Sequence, residues 1–431
     1  MPRMKDDTST FVLSHEICCG LDVHKKTVAA CILWTGPDGK EQSEVREFQT
    51  FTDDLMRLKE WLFEHECPVV AMESTGPYWT PIHNILEKCF HVMVVNARHV
   101  KNVPGRKTDI CDSRWLAGLL RHGLLRGGFI PPRFQRQWRD LTRTRKSYNQ
   151  TAGDFKRRVH KLFQQANIKI DSVVSDLFGL SGRNLMKLLL SSDEPPTLAE
   201  VEQCARGSLK EKTKELHRSI QGFLERHHKD LLAILLETID DLQSKIELLD
   251  RRISLVMRDH QDLLERLKQV PGISDISGPA VLAELGPSLD LFPKASALAS
   301  WCGLCPGNNQ SAGKRRSGKN PMKKNRLRTV MVEIAWAAVK TKDSYYKAKY
   351  YALKARMGPK KAIIAIAHRI LKALYHIIKG GTSYQELGED FLLQKNKESR
   401  VRNLSKLAAK LGYHLVPVDP PPTTSSKPIF P

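Results

Sequence analysis

No apolar run of about 18 residues occurs in this 431-residue chain, so the sequence holds no candidate membrane-spanning helix. The opening stretch MPRMKDDTSTFV is too polar to read as a signal peptide. Cysteine is sparse, scattered and odd in number, with nine residues. That pattern argues against a disulfide framework and leads us to expect a reducing, cytoplasmic setting. Cys302 and Cys305 form a CxxC, but no second pair stands at zinc-finger spacing, so buried small side chains are expected there rather than metal ligands. Acidic charge is also in short supply. Lys and Arg number 69 against 47 Asp and Glu, for a net charge of +22 and an isoelectric point near 9.6. Such an excess points to a polyanion, with nucleic acid ahead of an anionic membrane surface; a basic surface without a dedicated partner is the plain alternative.

Enough apolar residues are present, at 41%, to build ordinary globular cores, which excludes a disordered chain. The length fits about two to four domains. Residues 16–133 read as α/β. EICCGLDV and TVAACILW are β-prone runs joined by HKK, consistent with a hairpin, and EVREFQTF extends it to a meander. DDLMRLKEWLFEHE has helical spacing, CPVVAMES and HVMVVN are short strands, and YWTPIHNILEKC and DICDSRWLAGLLR are helices. The alternation implies a mixed sheet covered by helices.

Residues 134–268 are helical. From Leu232 to Leu267 apolar residues recur at steps of three and four (Leu232, Leu235, Ile239, Leu242, Ile246, Leu249, Ile253, Val256, Leu263, Leu267), with His260 in the seam. Ile at successive a positions with Leu at d predicts a two-stranded parallel coiled coil; packing within the chain is the alternative. Residues 269–378 form a further helical unit. It opens on QVPGISDISGPAVLAELGP, which is similar to a helix-hairpin-helix, and continues through a basic segment into the helix PKKAIIAIAHRILKALYHIIK. Residues 1–15 and 379–431 are extensions, and the Pro- and Ser-rich end from Val416 is expected to be disordered.

Against this basic background, Asp22 in GLDVHKK, Glu73 in AMESTG, and Asp109 and Asp112 in KTDICDS are conspicuous. Carboxylates repel a polyanion unless a cation sits between them. Asp22 and Glu73 fall at strand ends, and Asp109 and Asp112 are spaced to share a helix face. Hard oxygen ligands suit Mg²⁺ or Mn²⁺, and a two-metal site activates the attacking oxygen and stabilises the leaving one in phosphoryl transfer. Taken singly, each acid also reads as a turn, cap or solvated-face residue. His24, Lys25 and Lys26 beside Asp22 could touch phosphate or simply carry surface charge. A second candidate is the stretch NNQSAGKRRSGKN, where Ser311 and Ser317 lie among Lys314, Arg315, Arg316 and Lys319, with Lys323 and Lys324 beyond. Dense positive charge stabilises a pentacoordinate phosphate and helps deprotonate a serine, so both a phosphate-binding loop and a nucleophile fit.

The ordered set GLDVHKK, MESTGPYW, KTDICDSRWLAGLLRHGLLRGGFIPP and ASWCGLCPGNNQSAGKRRSGKN resembles the DEDD transposases of insertion sequence family 110, the bridge-RNA-guided recombinases, over about residues 16–378. The resemblance implies an RNase H-like (RuvC-like) α/β N-terminal domain, a helical coiled-coil middle and a mainly α C-terminal transposase domain. It assigns the acidic quartet to Asp22, Glu73, Asp109 and Asp112, binding Mg²⁺ or Mn²⁺. It assigns the nucleophile to Ser311, with Ser317 in reserve, and phosphate contacts to the neighbouring basic residues. The implied partners are donor and target DNA, a noncoding bridge RNA and further copies of the chain as a dimer or tetramer, with no membrane. An active site shared between protomers and a cytoplasmic, nucleoid-associated location in a bacterium or archaeon are implied as well. Two other readings remain open: a RuvC-type metal-dependent nuclease using water, and a non-catalytic nucleic-acid-binding protein.

Overall fold

The computed structural model describes residues 13–74, 76–96, 112–192, 194–307, 309–311, 314–317 and 325–416. The chain divides between Arg133 and Phe134 into two compact units.

The first unit is a five-stranded mixed sheet. β1 (Cys18–Val23), β2 (Thr27–Thr35) and β3 (Glu41–Gln49) form an antiparallel meander. α1 (Thr52–Glu64) then leads to β4 (Val69–Glu73), which pairs parallel with β1. α2 (Trp79–Leu86) leads to β5 (His91–Val95), parallel to β4, and α3 (Asp112–Arg121) follows. The order across the sheet is β3-β2-β1-β4-β5. The two-residue period of a strand sorts the core onto two faces. Leu21, Ile32, Val70 and Met72 pack with Leu58 and Trp61 of α1 and Ile82 of α2. Cys18, Cys31, Leu33, Val69 and Ala71 pack with Leu116, Ala117 and Leu120 of α3. Central strands buried on both faces therefore read as continuous apolar runs, while β3, EQSEVREFQ, keeps a polar edge that resists pairing with other chains.

The second unit is helical, apart from one short hairpin. α4 (Arg133–Gln165) is followed by α5 (Leu180–Ser191), α6 (Leu198–Cys204), α7 (Thr213–Ser219) and the long α8 (Arg226–Val256). The heptad stripe does not run unbroken to Leu267. α8 ends at Val256, Arg258–His260 form a 3₁₀ turn, and α9 (Gln261–Lys268) follows as a separate helix. Met257, Leu263, Leu264 and Leu267 around the break, like Ile253 before it, belong to the C-terminal core, whereas Leu232 and Ile239 are buried in another core. His260 therefore leaves the seam and packs edge-on against Trp138, ring centroids 5.1 Å apart.

Part of the stripe is covered within the chain. Leu232, Leu236 and Ile239 share a core with Val159, Leu162 and Phe163 of α4. Farther along, Ile253 shares a core with Trp138, and Asp250 accepts from Arg145 Nη2 at 3.0 Å. These pairs run in opposite directions, so α4 and α8 form an antiparallel pair inside one chain.

The C-terminal core gathers α9, α10 (Ser277–Leu285), α11 (Ala295–Trp301), and, after the hairpin of β6 (Asn309–Ser311) and β7 (Lys314–Ser317), α12 (Arg326–Lys340), α13 (Tyr345–Met357) and α14 (Pro359–Gly380). α15 (Asp390–Lys410) follows. α13 and α15 were not foreseen from sequence, and the expected disorder at the C-terminal end falls largely on 417–431, outside the described residues. The α9–α10 turn contains Gly272 at φ +88°, where a β-carbon would meet the Ile334 carbonyl oxygen at 2.4 Å, so glycine lets this turn lie against α12.

α4 is fixed to α10 by a buried charge cluster. Glu284 receives Arg143 Nε and Nη2, both at 2.9 Å, and lies 3.5 Å from Arg139 Nε. Arg139 also donates to the Ala283 and Glu284 carbonyls. Removing one member strands its partners in a low-dielectric setting. Glu284→Ala is expected to lower unfolding stability by about 3–5 kcal/mol, read as a reduced urea midpoint.

Candidate active site

Strand register and the seat of α3 position the acidic residues. β1 and β4 pair in parallel as Cys19–Val70, Gly20–Ala71 and Leu21–Met72. Asp22 and Glu73 are the next residues of the two strands, side by side at their C-terminal ends on chains about 4.8 Å apart. Alternation places both on the α3 face, because Cys18 on β1 and Val69 and Ala71 on β4 pack with α3. α3 runs antiparallel to β1 on that face. Its last residue, Arg121, donates from Nη2 to Thr35 Oγ1 at 2.5 Å, near the start of β1, and Asp112 opens its first turn near the Asp22 end. An acid at a helix N-terminus is favoured by the macrodipole, so Asp112 suits this position even without a ligand. Three of the four candidate acids thus share one face and one end of the sheet. Asp109 lies outside the described residues.

Gly20 makes this arrangement possible. A β-carbon there would meet the Ser113 carbonyl oxygen at 2.2 Å and the Ala117 nitrogen at 2.5 Å, both backbone atoms. The first turns of α3 therefore rest directly on β1, two residues before Asp22. Sequence reading passed over Gly20, although a glycine inside an apolar strand signals a close backbone approach. Gly20→Val is expected to push α3 away, lower stability by about 1–3 kcal/mol by overpacking, and displace Asp112 from Asp22. The check is urea unfolding alongside a cleavage assay.

Asp22 is partly exposed, and His24 Nε2 lies 3.0 Å from its Oδ2. His24 is the more exposed of the pair and turns back from the β1–β2 turn to orient the carboxylate. Glu73 and Asp112 are also partly buried. All three offer hard carboxylate oxygens, but the three do not come within 4.8 Å of one another as a ligand group.

Among the described residues, the group of ligand atoms that all lie within 4.8 Å of one another is Glu225, His227 and His228 at the start of α8. Its geometry is that of a helix cap. The Glu225 side chain accepts from the His228 backbone, and His228 Nδ1 accepts from the Glu225 N–H at 3.2 Å. The positive end of the helix dipole disfavours a cation there.

The second candidate, read as a Gly-rich loop, is instead an antiparallel hairpin. Ser311 pairs with Lys314 at its tip, and Ser317 pairs with Asn309 at its base, with an irregularity between Asn309 and Gln310. Arg315 and Arg316 continue β7. Lys319, Lys323 and Lys324 lie outside the described residues. The hairpin belongs to the second unit and the acids to the first. Among the cysteines, burial pushes the Cys302 thiol up to about 12 and also raises Cys305. Cys302 is buried and Cys305 half-buried. No helix of the described residues is long and apolar enough to cross a membrane.

Comparison with known proteins covers both candidate regions. Residues 19–168, which contain all four acids, match a family model described as Transposase, of the IS110 DEDD type. Residues 264–352, which contain the serine hairpin, match the Transposase IS116/IS110/IS902 family. A candidate transposase by name, y4pF/y4sB of Sinorhizobium fredii (strain NBRC 101917 / NGR234), is 25% identical over 163 residues, 37% of this chain and 42% of that protein. The candidate transposase of the IS117 mini-circle of Streptomyces coelicolor (strain ATCC BAA-471 / A3(2) / M145) is 27% identical over 174 residues, 40% of this chain and 41% of that protein. The chain thus spans about two fifths of the length of these curated relatives. The two family matches stand in order, together span more than half of the sequence, and take in every candidate site residue; the chain belongs to the IS110 family of DEDD transposases.

Proposed function

We propose that this chain is a DNA transposase that excises and inserts its own insertion sequence by strand cleavage and exchange. The observation that carries this reading is the placement of Asp22 and Glu73 on neighbouring parallel strand ends, with Asp112 opening the helix on the same face. The sheet order β3-β2-β1-β4-β5, with its antiparallel meander, supports an RNase H-like, RuvC-type fold for residues 16–133. Asp22, Glu73, Asp109 and Asp112 would hold Mg²⁺ or Mn²⁺, which when bound supplies Lewis-acid stabilisation of phosphoryl oxygens.

The rest of the chemistry falls to the chain's own groups. The Ser311 hydroxyl attacks the scissile phosphorus. The P–O bond to one deoxyribose breaks, that oxygen leaves with a proton, and the strand is held as a phosphoserine diester. A hydroxyl from the exchanged strand then attacks the same phosphorus, which restores a phosphodiester and frees Ser311. Lys314, Arg315, Arg316, Lys319, Lys323 and Lys324 neutralise the phosphate as negative charge builds on it. Ser317 is the reserve nucleophile.

Residues 134–268 serve as the helical connector and 269–378 as the transposase domain. The partners are donor and target DNA, a bridge RNA that supplies the target sequence by base pairing, and further copies of the chain in a cytoplasmic assembly. Because the acids and the serine lie in different units, a site shared between protomers is compatible with this division of labour.

The test is strand exchange on a supercoiled donor–target pair, with Mg²⁺ and the noncoding RNA encoded beside the reading frame. Joined products that require the RNA support the proposal. Cut, unjoined ends made without RNA would replace it with a water-using nuclease of the RuvC type.

A further inference from the structure

α12, α13 and the start of α14 carry a surface to which no role has yet been given. Trp336 on α12 is 42% exposed and Tyr351 on α13 is 55% exposed, although both are large aromatic side chains. They are joined through a buried ring. Tyr350 lies edge-on to Trp336 with centroids 5.8 Å apart, and 5.4 Å from Tyr351. Tyr350 itself is only 4% exposed, so it anchors the two outer rings to the core. Lys354 Nζ stands 5.7 Å from the Tyr351 ring centroid, in cation–π reach.

Charge on this stretch is one-sided. From Ile334 to Lys361 the sequence holds eight Lys and Arg (Lys340, Lys342, Lys347, Lys349, Lys354, Arg356, Lys360, Lys361) and one acid, Asp343. Lys340, Lys342, Lys354, Arg356, Lys360 and Lys361 are all exposed. Duplex phosphates need only the cations. Exposed aromatic faces among cations are what unstacked bases need, because every base has a π-face and stacking tolerates any sequence. A paired strand keeps its bases stacked on one another and offers them nothing. From these observations we infer that Trp336 and Tyr351 form a stacking platform for an unpaired nucleic-acid strand, whose phosphates run along Lys354, Arg356, Lys360 and Lys361. The inference rests on the proposed function to the extent that the protein handles nucleic acid at all.

The experiment is fluorescence anisotropy with the full chain and labelled oligonucleotides of about 20 nucleotides: unstructured RNA, unstructured DNA and duplex DNA. Trp336→Ala and Tyr351→Ala are each expected to weaken single-strand binding by about five- to 150-fold while leaving duplex binding unchanged. Trp336→Phe and Tyr351→Phe, which keep a ring, are expected to restore it. A loss confined to RNA would assign the platform to RNA, and a loss confined to DNA would assign it to a displaced DNA strand; either supports the inference. Unfolding midpoints of all four variants matching the parent show that folding is not at issue, and the Phe variants read the platform even if an Ala variant is destabilised.

The inference is overturned if both Ala variants bind single strands like the parent, or lose duplex binding to the same degree. Tight binding to anionic vesicles that the Ala variants lose, with single-strand binding unaffected, would give the surface to a membrane instead and overturn it as well. If the parent binds neither single strand nor duplex, the proposed function itself fails. If it binds both and only the aromatic substitutions are silent, this inference alone fails.

Discussion

Ser311→Ala is expected to abolish both covalent attachment to DNA and strand joining, with rates falling by about 10⁴- to 10⁶-fold, the scale on which a nucleophile and its partners act as a unit. The expectation follows from the hairpin. Ser311 sits at its tip, paired with Lys314 and separated from it by two residues, whereas Ser317 sits at its base. A tip can enter a DNA groove and reach a scissile phosphate, while a base is held by the elements on either side. Ser317→Ala is therefore expected to retain most activity. Joining assays with end-labelled DNA check both variants. If Ser311→Ala joins strands normally and Ser317→Ala does not, the nucleophile is Ser317 and the tip argument is wrong.

Asp22→Ala is expected to slow cleavage by about 10²- to 10³-fold or more while leaving DNA affinity within a few-fold of the parent. Glu73→Ala and Asp112→Ala should behave alike, because all three sit on one face at one end of the sheet. The distinguishing readout is the split between binding and chemistry. A carboxylate that only capped a turn would change stability and leave the rate of the folded protein intact. A carboxylate that faced phosphate without a cation would improve DNA binding when removed and leave cleavage unharmed. Chelation by EDTA should reproduce the loss, and added Mg²⁺ or Mn²⁺ should reverse it for the parent alone.

The first unit was largely legible in the sequence. Cys18–Val23 and Val69–Glu73 are short apolar runs bounded by polar turns, and each carries an acid at or next to its end. That pattern marked Asp22 and Glu73 before any fold was known. What sequence could not supply was adjacency. The parallel pairing of β1 with β4 is a long-range event, and a residue's distance in sequence says nothing about the strand it will join. Gly20 carried a local signal, yet its meaning depends on α3, which arrives about a hundred residues later.

The long helix was legible only in part. The stripe from Leu232 to Ile253 reports that one face of α8 is buried, but an apolar stripe does not say by what. Helix α4, which covers part of it, is polar over most of its length and contributes a narrow apolar face with Val159, Leu162 and Phe163 near one end and Trp138 near the other. Its polar composition hid an intramolecular contact that covers part of the stripe. The break after Val256 was equally hidden, because Leu263 and Leu267 keep the heptad spacing across it. In the serine region, glycine and basic residues suggested an open loop. Asn309–Ser311 and Lys314–Ser317 pair as strands too short for a two-residue alternation to show.

The most direct test of the account is to trap the intermediate. Labelled donor DNA, the flanking noncoding RNA and Mg²⁺ are mixed with the parent, Asp22→Ala and Ser311→Ala, quenched in denaturant, and the DNA-linked peptide is sequenced. The account predicts a covalent adduct on Ser311 in the parent and none with either variant. Cut DNA carrying no protein, formed as fast by Ser311→Ala as by the parent, would contradict it.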